Sequence, residues 1–420
     1  MFVWAALVIF APLFGVGQMH VRDGSSKAFV EATRNYTRDH RGNLILVLIE
    51  NGHVTQTHTM SIGKPVDGDT LFQMASVSKW VTSWGVMALV EAGKIDLDAP
   101  VSRYLKRWQL PPSKFDNEQV TVRRLLSHTA GLTDDLGYCG FAPGQPIQSL
   151  EASLTNAADA CPFRTGQVRV GAKAGSWRYS GGGYTLLQLL IEEVSGEPFA
   201  DYMQRAVLSP LGMTRSTYRT GAEGSQNIAT FYDSSGLIAP HYRYTAAAAA
   251  SLYATANDMT RFAQAHMAGP NGEPPGRGVL SPKTLEAMHQ MQVSFSGTAH
   301  WGLGPLLYAT STKGGFIFGH DGGNIPAINH TVRIEAKTGD AIIALSTGGS
   351  GIARKLGWAW TAQRREAITP FMVYSALQVL INPAEVFKVI AWIVGGWLVI
   401  IFGRKALHRR RKSRLNCKNC

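Results

Sequence analysis

A serine and a lysine three residues apart, Ser76 and Lys79, are the pair in this chain with the clearest chemical potential. Three residues make about one turn of an α-helix, so in a helix the two side chains would share a face. A serine hydroxyl is a poor nucleophile until a base removes its proton, and a lysine held neutral one turn away can be that base. The pair predicts a serine hydrolase that forms an acyl-enzyme on Ser76.

A second pair with the same spacing, Ser61 and Lys64, shows that spacing alone is a weak signal. It runs into a proline among turn residues, so it is not expected to be helical. After Ser76, apolar residues recur at helical spacing as far as Gly93, which predicts a helix that begins near Ser76. The positive end of that helix, together with burial, is expected to lower the pKa of Lys79. A capping serine followed by a solvated lysine is the alternative interpretation.

Charge and length narrow the class of protein. The chain has 420 residues, which fits one elaborated catalytic domain, and a net charge of +12. Eight of those positive charges lie in residues 404–420, which contain no acidic residue, so residues 1–403 carry only +4. This mildly basic body does not suggest a nucleic-acid-binding protein.

Two apolar segments predict how the chain meets a membrane. Residues 1–17 carry no charged side chain and predict a signal peptide or an N-terminal anchor. Residues 386–403 contain one charge, Lys388, and the basic residues 404–420 follow at once. This pattern predicts a transmembrane helix with a cytoplasmic C-terminal tail that can contact acidic phospholipids. A helix buried within the protein is the alternative for residues 386–403.

The membrane prediction divides the rest of the chain. Residues 20–370 are predicted to form the catalytic domain on the periplasmic or other extracytoplasmic side of the cell membrane. Residues 371–385 are predicted to form an amphipathic helix at the membrane surface. The oligomeric state is not predicted.

The four cysteines fall into two pairs under this topology. Cys139 and Cys161 lie in the external domain, where a disulfide is permitted, and they are predicted to pair although spacing alone does not show proximity. Cys417 and Cys420 form a C-x-x-C pair, which is half of a zinc site. No H-E-x-x-H motif occurs and the histidines have no ligand spacing, so neither a catalytic metal nor a cofactor is predicted.

Strand patterns lie at both ends of the domain and helix patterns lie between them. Apolar residues 44–50 and residues 53–60 flank Asn51-Gly52, which is a good hairpin signal. Strand patterns return late in the domain, at residues 315–319, 331–335 and 341–346. Helix patterns between these ends include residues 184–194, stopped by Gly196, and residues 255–266. The prediction is an α+β fold, with an antiparallel sheet built from both ends of the domain and an inserted helical subdomain.

Five short blocks together resemble one superfamily. They are TLFQMASVSK at 70–79, LLSHTAGL at 125–132, YSG at 179–181, PLGM at 210–213 and HDGG at 320–323. In these blocks the chain resembles the serine β-lactamase and penicillin-binding protein superfamily. It looks closest to the class C β-lactamase-like branch, which includes esterases and D-amino-acid peptidases. The resemblance covers roughly residues 30–350.

The resemblance implies a role for each residue of the site. Ser76 would be acylated, Lys79 would take or share its proton, and Tyr179 would help to move protons. A phenol beside a lysine ammonium is expected to have a lowered pKa. The backbone N–H groups of Ser76 and Gly323 would form the oxyanion hole, which supplies a large part of the catalysis in such enzymes. His128, within the second block, is expected to be structural.

The chain departs from the family pattern at two positions that contact substrate. His320, Asp321 and Gly322 stand where β-lactamases have K-T-G, and a titratable histidine there is expected to weaken recognition of a substrate carboxylate. Gly181 stands where the family usually has an asparagine that contacts the acyl amide of the substrate. Residues 337–339 do read Lys-Thr-Gly, but their place between two strand patterns predicts a hairpin turn.

Three functions follow from these features. The leading prediction is a membrane-anchored, externally facing serine hydrolase that acts on esters or on small peptides or amides. One alternative is a β-lactamase or D,D-peptidase of the cell envelope. The other is a non-catalytic ligand-sensing module that acylates slowly and signals through residues 386–403 to the tail, although the short tail holds no effector domain.

Overall fold

The computed structural model describes residues 25–364, except 135–137, 163, 296–297, 325 and 350. The segments predicted for residues 1–17, 371–385, 386–403 and 404–420, and the Cys417/Cys420 pair, lie outside the described residues. Within the described ranges, no helix is both long enough and apolar enough to span a membrane.

The domain contains one eight-stranded antiparallel sheet, with the strand order β2-β1-β10-β9-β8-β7-β6-β5. A short pair, β3-β4, stands apart from it. The strands are β1 (Leu44–Glu50), β2 (His53–Met60), β3 (Phe72–Gln73), β4 (Tyr253–Ala254), β5 (Val293–Phe295), β6 (Thr298–Trp301), β7 (Leu306–Thr310), β8 (Phe316–Asn324), β9 (Ile328–Glu335) and β10 (Asp340–Thr347).

In the sequence, most of the helices lie between β2 and β5. They are α1 (Ser26–Tyr36), α2 (Val77–Glu91), α3 (Val122–Leu126), α4 (Leu150–Thr155), α5 (Gly181–Ser195), α6 (Phe199–Met203), α7 (Ala247–Ala250), α8 (Ala256–Gln264), α9 (Pro282–Met288) and α10 (Ile352–Ala362). Short 3₁₀ or π turns occur at Val101–Arg103, Asn117–Gln119, Gln204–Leu208 and Ala222–Gly224.

The two ends of the domain meet in the sheet. Strand β1 pairs antiparallel with β10, and the register places Leu44 opposite Ser346. The turn between β1 and β2 contains Asn51 and Gly52, both with positive φ, at 51° and 80°. This confirms the predicted α+β class, the sheet built from both ends of the domain and the first hairpin.

Helix α2 forms the centre of the core. Twelve of its fifteen residues are buried, so the helix is enclosed on nearly all sides rather than amphipathic. It contacts α5, α7 and strand β8. A helix fixed on several sides gives a rigid platform for the side chains at its first turn.

Some elements differ from the sequence prediction. Strands β5, β6 and β7 were not expected, because glycines and Pro305 interrupt the alternating pattern between residues 293 and 310. Helix α5 begins three residues earlier than its apolar pattern, and Gly196 ends it with φ of 73°. Residues 336–339 form the turn between β9 and β10, as predicted for the Lys-Thr-Gly sequence.

Candidate active site

The site begins at the N-terminus of α2. Ser76 is the residue just before the first helical residue, and its side chain makes no capping hydrogen bond to the helix. The preceding residue, Ala75, has a φ of 46°, a left-handed conformation that costs an alanine about 1–2 kcal/mol. Such local strain is typical of functional sites, because the surrounding structure must hold it in place. The Ser76 hydroxyl is therefore left available for chemistry.

Lys79 lies one turn further along α2, next to Ser76. Its Nζ is 3.3 Å from the Ser76 Oγ and donates to the carbonyl oxygen of Ala249 on α7 at 2.8 Å. The side chain is buried, and this burial lowers the pKa of Lys79 to about 7, although the charge of Asp134 acts in the opposite direction. A substantial fraction of Lys79 is thus neutral at physiological pH, as a general base requires.

Tyr179 faces the same lysine from the loop before α5. The centre of its ring lies 5.0 Å from the Lys79 Nζ. Burial raises the pKa of Tyr179 well above its ordinary value, and a hydrogen bond with Ser76 acts in the opposite direction. The expectation of a lowered pKa for this phenol is therefore wrong, because loss of water outweighs any stabilisation of the phenolate. At physiological pH Tyr179 is therefore a neutral phenol, able to donate a proton.

His128 holds the segment that carries Tyr179. Its Nδ1 accepts from the backbone N–H of Ser180 at 3.1 Å, and its carbonyl oxygen accepts from the N–H of Arg178 at 2.7 Å. The rings of His128 and Tyr179 lie 4.3 Å apart, centre to centre. Burial pushes the pKa of His128 well below its ordinary value, so the ring is a neutral acceptor. These contacts agree with the structural role expected for His128.

Asp134 was missed by the sequence analysis. This buried carboxylate accepts from the Ser180 hydroxyl at 2.5 Å and from the N–H of Gly182 at 2.6 Å. Gly182 belongs to the first turn of α5 and Ser180 is the residue just before it, at a helix end where unpaired N–H groups favour a negative charge. No local motif marks an aspartate in this role, because it reaches α5 from 48 residues away in sequence.

Strand β8 brings Gly323 to the site. Gly323 lies one residue before the end of β8, and it lines the same cavity as Ser76. Its neighbour Gly322 must be a glycine, because a Cβ there would collide with the carbonyl oxygen of Met74. This close approach brings β8 alongside the start of α2, where the Ser76 N–H has no partner within the helix.

The ring of His320 lies 6.4 Å from that of Tyr179, centre to centre, next to the residues of the cavity. The Nδ1–H of His320 donates to the carbonyl oxygen of Asp321 at 2.7 Å, and burial lowers the pKa of His320 to about 4. The Asp321 carboxylate accepts from the Thr331 hydroxyl at 2.5 Å and lies 3.5 Å from the guanidinium of Arg333. Neither His320 nor Asp321 lines the cavity, so a direct contact of Asp321 with substrate is not supported.

The cavity has a volume of about 110 Å³ and unites most of the predicted site. The predicted residues among its lining are Ser76, Lys79, Tyr179, Gly181 and Gly323. Further lining residues that sequence patterns did not mark are Tyr138, Tyr244, Ala249, Ala250 and Asn324. Aromatic and alanine side chains thus surround the polar centre.

Two further predictions bear on the surroundings of the site. Cys139 and Cys161 form a disulfide, with their Cα atoms 4.9 Å apart. Among the residues that the structure describes, no group of three or more His, Cys, Asp or Glu side chains is placed to hold a metal ion.

Ser76 and the buried Lys79 lie at the start of a core helix, with Tyr179 opposite and the glycine-containing end of β8 beside them. This arrangement suits nucleophilic catalysis by a serine. The comparisons with known proteins identify the family. A family model described as beta-lactamase matches residues 29–364. The chain therefore belongs to the beta-lactamase family.

Relatives with several activities share this family. The chain is 29% identical over 189 residues to a penicillin-binding protein of Bacillus subtilis (strain 168), covering 42% of this chain and 38% of that protein. It is 32% identical over 165 residues to Esterase EstB of Burkholderia gladioli, covering 36% of this chain and 39% of the esterase. The chain thus matches less than half the length of either relative.

The fold is shared with solved structures. An octameric penicillin-binding protein homologue from Pyrococcus abyssi superposes with a TM-score of 0.65 at 24% identity, over 82% of this chain and 79% of that chain. At this level of identity the likeness concerns the fold, and the activity must be argued from the site.

Proposed function

We propose that the chain is a membrane-anchored, externally facing hydrolase that forms an acyl-enzyme on Ser76 and hydrolyses esters or small amides and peptides. The observation that carries this proposal is the approach of the Lys79 Nζ to 3.3 Å from the Ser76 Oγ, with a pKa of about 7 for the lysine. A base and a nucleophile at this distance and near this pKa suit general-base catalysis.

Acylation follows from the positions of the groups. The Ser76 Oγ attacks the substrate carbonyl carbon while its proton passes to the neutral amine of Lys79. The backbone N–H groups of Ser76 and Gly323 stabilise the oxyanion that forms. As the bond to the leaving group breaks, the phenol of Tyr179 donates a proton to the departing oxygen or nitrogen and regains one from the Lys79 ammonium.

Deacylation uses the same groups with water as the nucleophile. Lys79, again neutral, takes a proton from water as its oxygen attacks the acyl carbon, either directly or through Tyr179. The bond to the Ser76 Oγ then breaks, and the returned proton restores the hydroxyl. Each cycle consumes one water molecule and releases one acid and one alcohol or amine.

Esters are favoured over β-lactams by two features of the site. His320 is neutral because its pKa is lowered to about 4, so this position supplies no permanent cation for a substrate carboxylate. Position 181 has no side chain to hydrogen-bond an acyl amide. The esterase relative from Burkholderia gladioli agrees with this preference.

The proposed location is supported by sequence and by one covalent bond. Residues 386–403, with the basic tail behind them, supply the proposed anchor. The Cys139–Cys161 disulfide supports an external domain, because such bonds persist mainly in oxidising compartments.

The test uses the full chain in detergent with nitrophenyl acetate as substrate. Wild type is expected to turn over, Ser76→Ala is expected to lose activity by about 10³-fold or more, and Ser61→Ala, from the second S-x-x-K match, is expected to behave as wild type. Mass spectrometry after a rapid acid quench should find the acetyl group on Ser76. Full activity in Ser76→Ala would rule out the proposed nucleophile.

A parallel assay with nitrocefin, a chromogenic β-lactam, separates the alternatives. Turnover of the β-lactam at rates that rival the ester would favour the β-lactamase. A stable acyl adduct on Ser76 with no turnover of any ester would favour the sensor.

A further inference from the structure

The aromatic ring of Tyr138 lies where a side chain at position 181 would be. A Cβ built on Gly181 would be 2.5 Å from the Tyr138 Cε2 and 2.9 Å from its Cδ2. An asparagine at position 181 and this tyrosine ring therefore cannot both be accommodated without movement. The wall of the cavity at this point is made by ring carbons, which offer no hydrogen bond to a polar substrate group.

The backbone at Tyr138 is paired with residues near Cys161. It forms an antiparallel β-bridge with Ala160, and the adjacent residues Cys139 and Cys161 are joined by the disulfide. The N–H of Cys139 donates to the carbonyl oxygen of Asp159 at 2.7 Å. The bridge and the disulfide hold the backbone at Tyr138 and Cys139, and so position the ring beside Gly181.

Tyr244, Ala249 and Ala250 also line the cavity. Tyr244 is only 5% exposed, and its hydroxyl accepts a hydrogen bond from the side-chain amide of Asn324. Ala249 and Ala250 form the adjoining surface, and the first of them is tied through its carbonyl to Lys79. The cavity volume of about 110 Å³ is well below the roughly 300–1,000 Å³ typical of pockets for drug-sized ligands.

We propose that Tyr138 is a specificity-determining residue that closes the acyl side of the site, so that the enzyme takes esters of short, unsubstituted acyl groups. This inference rests on the proposed function and narrows its substrates from esters, small amides and peptides to esters of short acyl groups. Acyl groups with an amide branch, such as those of peptides and of most β-lactams, are rejected for two reasons. The ring occupies the space of the branch, and the branch would be buried without a hydrogen-bonding partner.

The test compares nitrophenyl acetate, butyrate and octanoate on the full chain in detergent. Wild type is expected to prefer acetate over octanoate by at least tenfold in kcat/KM. Tyr138→Ala is expected to reduce this preference at least tenfold, mainly by raising activity on octanoate. Tyr138→Phe keeps the ring and should keep the wild-type profile, and Tyr36→Ala, at an exposed tyrosine outside the cavity, is the control for a distant change.

A second series distinguishes the acyl side from the leaving-group side. Acetate esters of alcohols of increasing length, followed by titration of the released acid, should give the same profile in wild type and in Tyr138→Ala. A changed alcohol profile with an unchanged acyl profile would overturn the proposal. So would an unchanged acyl profile in a Tyr138→Ala protein that still hydrolyses acetate.

The outcomes keep this inference separate from the function on which it rests. Hydrolysis of nitrophenyl acetate by wild type tests the proposed hydrolase activity. The ratio of kcat/KM between esters tests the role of Tyr138 in acyl-group selection. If Tyr138→Ala fails to fold, Tyr138→Leu is used in its place, and an unchanged acyl preference in that variant counts against the proposal. The double variant Cys139→Ser/Cys161→Ser should relax the preference in the same direction but by less, because it loosens the ring without removing it.

Discussion

Helix α2 contacts a buried ionisable side chain on each of two flanks: its own Lys79 borders the cavity, and His266, which follows α8, packs on Trp80. The Lys79 Nζ has the Ser76 Oγ and the carbonyl oxygen of Ala249 as partners. The ring of His266 stacks on Trp80 with centres 4.7 Å apart, and neither of its nitrogens has a hydrogen-bond partner among the described residues.

Burial has the same electrostatic effect on the two flanks and different consequences. It lowers the pKa of Lys79 to about 7 and the pKa of His266 well below its ordinary value. Lys79 becomes a usable base because a nucleophile and a cavity lie next to it. His266 is enclosed by aromatic rings, so its neutrality affects only stability. A shifted pKa is therefore evidence of function only where geometry supplies a reaction partner.

Replacing the buried lysine should give the largest effect. Lys79→Met keeps an unbranched chain of similar length but removes the base, so kcat/KM for nitrophenyl acetate is expected to fall about 10³-fold or more. The matched control is Lys64→Met, which changes the lysine of the second S-x-x-K match and should leave activity within twofold. Retention of more than a tenth of the activity in Lys79→Met would show that another group removes the serine proton.

Removing the hydroxyl of Tyr179 should have the next largest effect. Tyr179→Phe keeps the ring that packs on His128 but cannot donate a proton, so kcat is expected to fall about 10²–10⁴-fold. Steady-state kinetics with leaving groups of different pKa provide the specific readout. The loss should be greatest for the poorest leaving group, and a loss that is equal for all of them would point to a structural role instead.

The pH profile should reveal Lys79 itself. Since the pKa of Lys79 in the folded protein is about 7, kcat/KM is expected to rise as pH increases through 7 and to level off above it. The raised pKa of Tyr179 keeps the phenol neutral over the whole range. Initial rates between pH 5 and 9, corrected for spontaneous hydrolysis, provide the measurement, and a flat profile would exclude Lys79 as the titrating base.

On the flank of α2 that packs against His266, a substitution should change stability and leave catalysis nearly intact. The pKa of His266 is lower in the folded protein than the value of 6.5 expected when unfolded. The unfolded state therefore binds more protons below about pH 6.5, and the free energy of unfolding decreases as the pH is lowered. His266→Phe removes this contribution. The Tm of the variant should therefore decrease less than that of wild type between pH 7 and 5. Its rate of nitrophenyl acetate hydrolysis at pH 7.5 should stay within about threefold of the wild-type rate.

The control for that experiment is His53→Phe, at an exposed position on β2. It should follow the wild-type dependence of Tm on pH. An equal loss of Tm in His266→Phe and wild type would mean that other buried groups control stability in acid.

Much of the fold could be predicted because its signals are local. The Asn51-Gly52 turn and the apolar runs beside it specify a hairpin through backbone conformation alone. The start of α2 and the end of α5 at Gly196 follow from helical periodicity and from a residue that tolerates a positive φ. Strands β5 to β7 escaped prediction because glycines and a proline disrupt their alternation, and their pairing in the sheet compensates for it.

The residue types and spacing in the sequence by themselves determined the chemistry, since Ser76 and Lys79 are brought together by a single helical turn. Only the tertiary structure decided how the surroundings tune that chemistry. The direction of the Tyr179 pKa depends on burial, Asp134 reaches α5 from a distant loop, and Asp321 turns towards Arg333 instead of the cavity. Desolvation and long-range packing arise only when distant segments meet, so no local pattern encodes them.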